Sequence, residues 1–285
     1  MTSAASNRTS LRIRRRLRRL VVWIPLAILI AWSVVPILWS LSASLKDPLE
    51  VYQANWLPRE PTVGNYGELL GSSSFWRYFG NSLLLAITST TMALFASCLA
   101  AYAFARYAFR WRHILLIAIL VPRILPRASL IVPLYDLVER VGLLDTYWAL
   151  IITYTATAIP LSTWILIGFF RSVPIELEEA AAIDGATMWQ RLWRIVVPIA
   201  VPGLITVGVL ALRESWNEFP FVLAFTTGME KRTLPYQLFL LRDSMGIQDW
   251  PMVNAFTILT IVPILILYLV FERRIVSGLT SGALK

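Results

Sequence analysis

Long stretches without a charged side chain limit what this chain can fold into more than any other feature. Residues 20–45, 78–105, 146–170 and 250–271 are such windows. Crossing ~30 Å of hydrocarbon at ~1.5 Å per helical residue takes about 20 residues, and each of these windows reaches that length. A fifth window, 195–212, is slightly short and is read as extending through Arg213 and Glu214 towards Phe221. A sixth, 114–135, is apolar but interrupted by Arg123 and Arg127. Charged residues make up 15% of the chain and mean hydropathy is +0.65, whereas a soluble domain carries about 25% charged residues. The expectation is an all-α membrane protein with six transmembrane helices across residues 21–271. Little chain is left for a large soluble domain.

Charge placement orients the spans. Seven arginines (Arg8, Arg12, Arg14, Arg15, Arg16, Arg18 and Arg19) precede the first window. They mark residues 1–20 as a basic cytoplasmic segment in contact with anionic lipid headgroups. The pI near 10.0 comes largely from such clusters, so nucleic acid is not a predicted partner. The loop with Arg106, Arg110 and Arg112 is cytoplasmic on the same rule, and residues 136–145, with three acids and one arginine, suit the outside. The tail, 272–285, opens on Glu272-Arg273-Arg274 and is again basic at its start. The chain therefore reads N-in and C-in. Residues 46–77 and 228–249 are long outside connections. The first window is too long for the apolar core of a signal peptide and is read as a retained span. The lone Cys98 lies within a span, so disulfides have no part in this fold.

Between the fourth and fifth spans in chain order, the windows at 146–170 and 195–212, lies a polar insert, residues 171–198, with Glu176, Glu178, Glu179, Asp184, Arg191 and Arg194. A return to the bilayer needs only about two to six residues, so an ordered insert of this size points to a docking surface for a soluble partner. Pro174 and the early glutamates suit a helix start, and Asp184-Gly185 is a turn signal. A second helix over 187–197 places Trp189, Leu192, Trp193 and Val196 on one face. The pattern is helix, turn, helix across the cytoplasmic membrane surface. Periodicity alone also fits an amphipathic connector that only lies on lipid.

The residues narrow that choice. Glu179-Ala180-Ala181, then Gly185, then Ile195 and Pro198, resembles the EAA signature of membrane subunits of ABC importers; Val197 stands where that family usually has Leu. Leu41 to Lys46 (LSASLK), Pro61 to Tyr66 (PTVGNY), Asn81-Ser82, Ala100 to Ala103 (AAYA), Gly142 to Thr146 (GLLDT), Gly168-Phe169-Phe170, Ser215 to Phe219 (SWNEF) and Val276 to Ala283 (VSGLTSGA) are similar, in order and spacing, to the maltose-type second permease subunit. The resemblance covers nearly the whole chain. It implies a multi-pass permease of the bacterial cytoplasmic (inner) membrane that imports a carbohydrate by alternating access. The partners it implies are a homologous second permease, a dimer of ATPase subunits, and a periplasmic or lipid-anchored solute-binding protein. It also implies that the insert is a coupling loop seated in the ATPase, with Glu178, Glu179, Ala180, Ala181, Asp184, Gly185 and Pro198 at that contact. The chain has no G-x-x-x-x-G-K-[ST] phosphate loop. ATP and magnesium therefore belong to the partner ATPase, and this subunit is neither an enzyme nor a cofactor carrier.

Charged groups inside spans are costly, at least ~2.5 kcal/mol at the bilayer centre, and normally face a bundle interior or an aqueous path. Arg123, Arg127, Arg213, Glu214 and Asn217 are accordingly assigned to the translocation path. The family that the chain resembles usually lacks arginine at the positions of Arg123 and Arg127. Two readings stand: a cavity for an anionic or highly polar solute such as a sugar acid or sugar phosphate, or an internal ion pair, for instance Arg123 or Arg213 with Glu214. Pro122, Pro126 and Pro133 are positioned to break the third span near such a path. Among importers, polyols and glycerol phosphate derivatives are the alternative substrates. A free-standing secondary transporter is the alternative class, but no inverted repeat or ion-coupling site supports it. The single histidine, His113, at a loop edge, is not part of any metal or nucleophile pattern.

Overall fold

The structure, a computed structural model, describes residues 3–53, 55–243 and 249–281; the side chains of 3–20 and 273–281 lie outside that description. The N-terminal arginine cluster and the tail motif at 276–283, both singled out in the sequence, therefore fall outside the described side chains. In chain order the helices are α1 (Ser3–Ser44), α2 (Gly64–Gly71), α3 (Ser73–Arg106), α4 (Arg112–Leu120), α5 (Arg127–Arg140), α6 (Tyr147–Ser172), α7 (Ile175–Ile183), α8 (Met188–Arg191), α9 (Val197–Ile199), α10 (Val201–Trp216), α11 (Pro220–Phe225), α12 (Leu234–Asp243) and α13 (Trp250–Ser281).

Four segments, Val21–Ser44, Ser73–Arg106, Tyr147–Ser172 and Trp250–Glu272, are single helices long and apolar enough to cross a membrane. Two further candidates are bent pairs: Arg112–Arg123 with Arg127–Arg140 at 102°, and Met188–Ile199 with Val201–Trp216 at 81°. Counting each pair as one span gives the six expected; as straight rods, the windows at 114–135 and 195–212 are corrected. Proline accounts for much of this. Pro126 sits in an extended conformation (φ −58°, ψ 134°) between the two halves of the first pair and has no N–H to continue a helix. Pro133, in contrast, is accommodated inside α5. In the second pair Ala200 leaves helical geometry (φ −86°, ψ 9°), and Pro202 follows in the first turn of α10, where its missing donor costs nothing. The expected run of this helix towards Phe221 stops at Trp216. Phe219, which precedes Pro220, leaves helical geometry at φ −132°, ψ −32°.

Two compact units are distinguished, residues 1–68 with 247–258 and residues 69–246 with 259–285. In the first, two of the sequence motifs meet. The Thr62 amide donates to Leu45 O at 2.9 Å, Asn65 Nδ2 donates to Ser44 O at 3.0 Å, and the Tyr66 and Ser44 hydroxyls lie 2.6 Å apart. Lys46 is fully buried, with its ammonium 5.0 Å from the centre of the Trp39 ring. LSASLK and PTVGNY are thus two sides of one closed loop.

The second unit is built on α3, α6 and α10. Ala93, Ala158 and Ala211 form a buried cluster where these helices meet, because small side chains let helix backbones approach. Ser89 Oγ donates to Ser215 Oγ at 3.0 Å across the same seam. Below it, Tyr102, Phe104, Leu166, Phe170, Leu192, Val196, Ala200 and Val207 form a continuous apolar core. At the other end of α3, Asn81 Nδ2 donates to the carbonyls of Glu230 and Arg232 at 2.7 and 2.8 Å, and Tyr147 Oη donates to Asn81 Oδ1 at 2.8 Å. The neighbouring Ser82 Oγ accepts from the Leu234 amide at 2.9 Å.

Close approach is tightest at Gly203, where a Cβ would lie 2.4 Å from Phe169 Cγ. Gly203→Ala should destabilise the protein by roughly 1–3 kcal/mol, the range for overpacking a filled core. Gly208→Ala, whose Cβ would meet only Leu94 Cδ1 at 3.4 Å, should be tolerated. Thermal unfolding of the detergent-solubilised protein checks both, and equal Tm values for the two variants would refute this account of α6–α10 packing.

Candidate functional site

The polar insert begins where α6 ends. Pro174, in extended geometry, caps α7, and Glu176 and Glu178 lie in its first turn, where carboxylates favour the positive end of the helix dipole. The two adjacent glutamates have opposite fates. Glu178 is 3% exposed, whereas Glu179, Ala180 and Ile183 are exposed and Ala181 is half-buried. The Glu178 carboxylate accepts from Tyr102 Oη at 2.7 Å and from Arg106 Nε at 2.6 Å. Arg106 Nη2 also donates to Val173 O at 2.9 Å. One guanidinium at the end of α3 therefore holds both the side chain of α7 and the backbone that leads into it. Neither Tyr102 nor Arg106 was assigned to this site from sequence.

Gly185 stops α7. Its φ of +84° lies in the left-handed region, and nothing is within 4 Å of a Cβ built there, so conformation rather than space selects glycine. The Gly185 amide donates to Ala182 O at 3.1 Å and the Ala186 amide to Ala181 O at 2.8 Å, the paired bonds of a Schellman stop. The second helix starts on a capping box that the sequence reading missed although T-x-x-Q announces it. The Gln190 amide donates to Thr187 Oγ1 at 3.3 Å, and the Thr187 amide donates to Gln190 Oε1 at 2.7 Å. It then passes into a π-helical turn, Leu192–Val196. Leu192 and Val196 are buried, while Trp189 stacks on Trp193, which stacks on Phe95 of α3 at 5.8 Å. The expected apolar face is present, but its aromatic half packs along α3. Asp184 and Pro198 are exposed.

The assigned path residues gather at the α4–α5 break and the end of α10. Arg123 donates to Glu214, and Arg127 donates to both Glu214 and Glu218. Glu218, 3% exposed, was not named from sequence as a partner. Glu214 lies in the last turn of α10, and Glu218 follows two residues after that helix ends at Trp216. Leu210, Arg213 and Asn217 share one stripe. Asn217 Nδ2 donates to Arg213 O at 2.8 Å. These residues, with Arg123, Arg127 and Leu161, line a polar cavity of about 350 Å³. A larger cavity of about 880 Å³, mostly apolar, is also lined by Arg123 and Arg127 and by Leu134, Val138, Ile152 and Pro160.

On the far side of this unit, Asp145 adopts φ 55°. Its amide donates to Phe225 O at 2.8 Å, and its carboxylate accepts from Lys231 Nζ at 3.0 Å. The Lys231 hydrogen bond, helped by the Thr227 amide, holds the Asp145 carboxyl below its ordinary range.

Residues 93–277 match the family described as binding-protein-dependent transport system inner membrane component. The sulfoquinovosyl glycerol transport system permease protein SmoH of Agrobacterium fabrum is 37% identical over 265 residues, 92% of this chain and 93% of that protein. The trehalose transport system permease protein SugB of Mycobacterium tuberculosis is 34% identical over 270 residues, 94% of this chain and 98% of that protein. Among solved structures, a chain of a bacterial ABC transporter involved in import of the acidic polysaccharide alginate superposes with a TM-score of 0.81 at 23% identity, covering 90% of this chain and 96% of that one.

Removing one member of a buried ion pair strands the other, at a cost of roughly 3–5 kcal/mol. Glu178→Ala should lower the Tm of the purified protein accordingly. Tyr102→Phe, which loses one hydrogen bond to a charged acceptor, should cost roughly 1.5–3 kcal/mol. Glu179→Ala should leave Tm unchanged. Equal losses for the two glutamate variants would show that the adjacent carboxylates are not divided in this way.

Proposed function

The chain belongs to the family of binding-protein-dependent transport system inner membrane components, and we propose that it is the maltose-type second permease of a carbohydrate importer. It is a multi-pass membrane subunit that does not itself hydrolyse ATP. Carbohydrate as cargo is supported by relatives for different sugars, including sulfoquinovosyl glycerol and trehalose, that align with over nine-tenths of this chain. The proposed setting is the bacterial inner membrane, with six spans, N-in and C-in. A second permease completes the cavity, two ATPase subunits supply energy, and a binding protein delivers the solute.

The observation that carries the coupling role is the split between Glu178 and Glu179. An insert that only lay on lipid has no use for a buried carboxylate fixed to α3 at 2.6 and 2.7 Å. It has still less use for a neighbouring face of Glu179, Ala180 and Ile183 left open, with Ile183 87% exposed. That face suits a cleft in the ATPase: small residues permit close approach, Ile183 fills an apolar hollow, and Glu179 pairs with a basic group. Gly185 sets the angle at which the face is presented, and Asp184 and Pro198 flank it. Rigid fixation by Glu178 then passes ATPase closure to α3, α6 and α10 together.

Purification of the tagged chain at native level from mild-detergent membranes should recover one second permease and two ATPase copies. Recovery of the chain alone, even after crosslinking, would overturn the importer reading. Within the assembled transporter, Glu179→Lys and Gly185→Asp should abolish most solute uptake while the ATPase continues to turn over. Normal uptake by either variant would remove that residue from the coupling contact.

A further inference from the structure

The charged cluster at the end of α10 does not balance. Arg123, Arg127 and Arg213 supply three positive charges, and Glu214 and Glu218 two negative ones. Both acids are committed to the first two arginines. Among the described residues no acid pairs with Arg213, and its side chain is exposed. Its stripe on α10 faces the polar cavity of about 350 Å³, with Asn217 one turn beyond it and Leu210 one turn before. A cation at the end of a membrane helix is costly unless water or an anion meets it. Nor can the acids turn to it freely, because Glu218 is 3% exposed beneath Arg127, and releasing either acid would strand an arginine.

We propose that Arg213, with Asn217, is a subsite for an oxyanion group on the transported carbohydrate: a carboxylate, sulfonate or phosphate. This rests on the importer reading and narrows its substrate class. The guanidinium offers up to five N–H donors in a planar fork that matches two oxygens of such a group. Leu210 and Leu161 in the same cavity give an apolar shoulder for the face of a sugar ring. Arg123 and Arg127 have a different role. They neutralise the acids that would otherwise repel the ligand, so the electrostatics of the cavity are left to Arg213.

The test uses the complete transporter, purified with its partner subunits in phosphatidylcholine nanodiscs, so that no anionic lipid competes. Calorimetric titration compares glucuronate, glucose 6-phosphate and glucose. Expected is tighter binding of at least one acidic sugar than of glucose, lost by about tenfold or more in Arg213→Gln and largely kept in Arg213→Lys, with glucose unaffected. Three results would overturn the subsite: no preference for acidic sugars, equal losses for acidic and neutral sugars, or a complex that falls apart on Arg213→Gln. The last would mean that Arg213 pairs with an acid of a neighbouring subunit. In all three cases the importer reading survives as long as the subunits co-purify and ATPase activity responds to the binding protein. Its own failure, absence of an ATPase from the complex, is a separate observation.

Discussion

A carboxylate taken out of water must be met by positive charge and hydrogen-bond donors, because burying it without them is costly. At Glu178 that requirement is met from α3, by the Tyr102 hydroxyl and the Arg106 guanidinium, and the arrangement of the insert follows. With Glu178 turned inward, Glu179 is turned about 100° around α7 and out. With Arg106 also holding Val173 O, the chain cannot slide as it leaves α6. The Schellman stop at Gly185 and the capping box at Thr187 then set where the second helix begins. Its buried Leu192 and Val196 return the chain to the core that Tyr102 helps to build.

The same demand shapes the charged cluster, with a different result. Two arginines enter at a proline-broken pair of helices and meet two acids, one in the last turn of α10 and one just beyond its end. A continuous helix through residues 122–126 would put Arg123 and Arg127 on one face of a rod. The 102° bend instead leaves Arg123 before the corner and Arg127 after it, so both converge on Glu214. Of the two sequence readings, the ion-pair arrangement accounts for Arg123 and Arg127, with Glu218 added to the expected Glu214. Only Arg213 keeps the properties that the anionic-solute reading asked for.

Much of the fold was legible because hydrocarbon imposes a length and forbids charge: the window at 146–170 became the helix Tyr147–Ser172. The Asp184-Gly185 stop was legible because left-handed geometry has few chemical solutions. The bends were only half legible: Pro122 and Pro126 signalled one, but the break at Ala200 was not anticipated, although Pro202 follows it. Two things stayed hidden. The partners of Glu178 are 76 and 72 residues away, and nothing local in the sequence records a contact across that distance. Which of two consecutive glutamates faces inward was equally unreadable, because both suit a helix start and only the position of α3 distinguishes them.

Rigidity at the insert is also what a transmission element requires. If α7 were joined to the rest of the unit only through its two chain ends, a push on its outer face would be taken up by rotation about residues 173–174 and 184–186. The Glu178 anchor removes that freedom at one end, and the stack of Trp189 and Trp193 on Phe95 removes it at the other. Both anchors land on α3, which is joined to α10 through Ser89 and Ser215. On the proposed reading, a displacement applied at Glu179 and Ile183 must therefore reach the end of α10 where Arg213 lies, because the softer routes are closed. The route consists of buried polar contacts and small-residue packing, so it deforms little, and motion is left to the two bent spans, where helical hydrogen bonding is already interrupted.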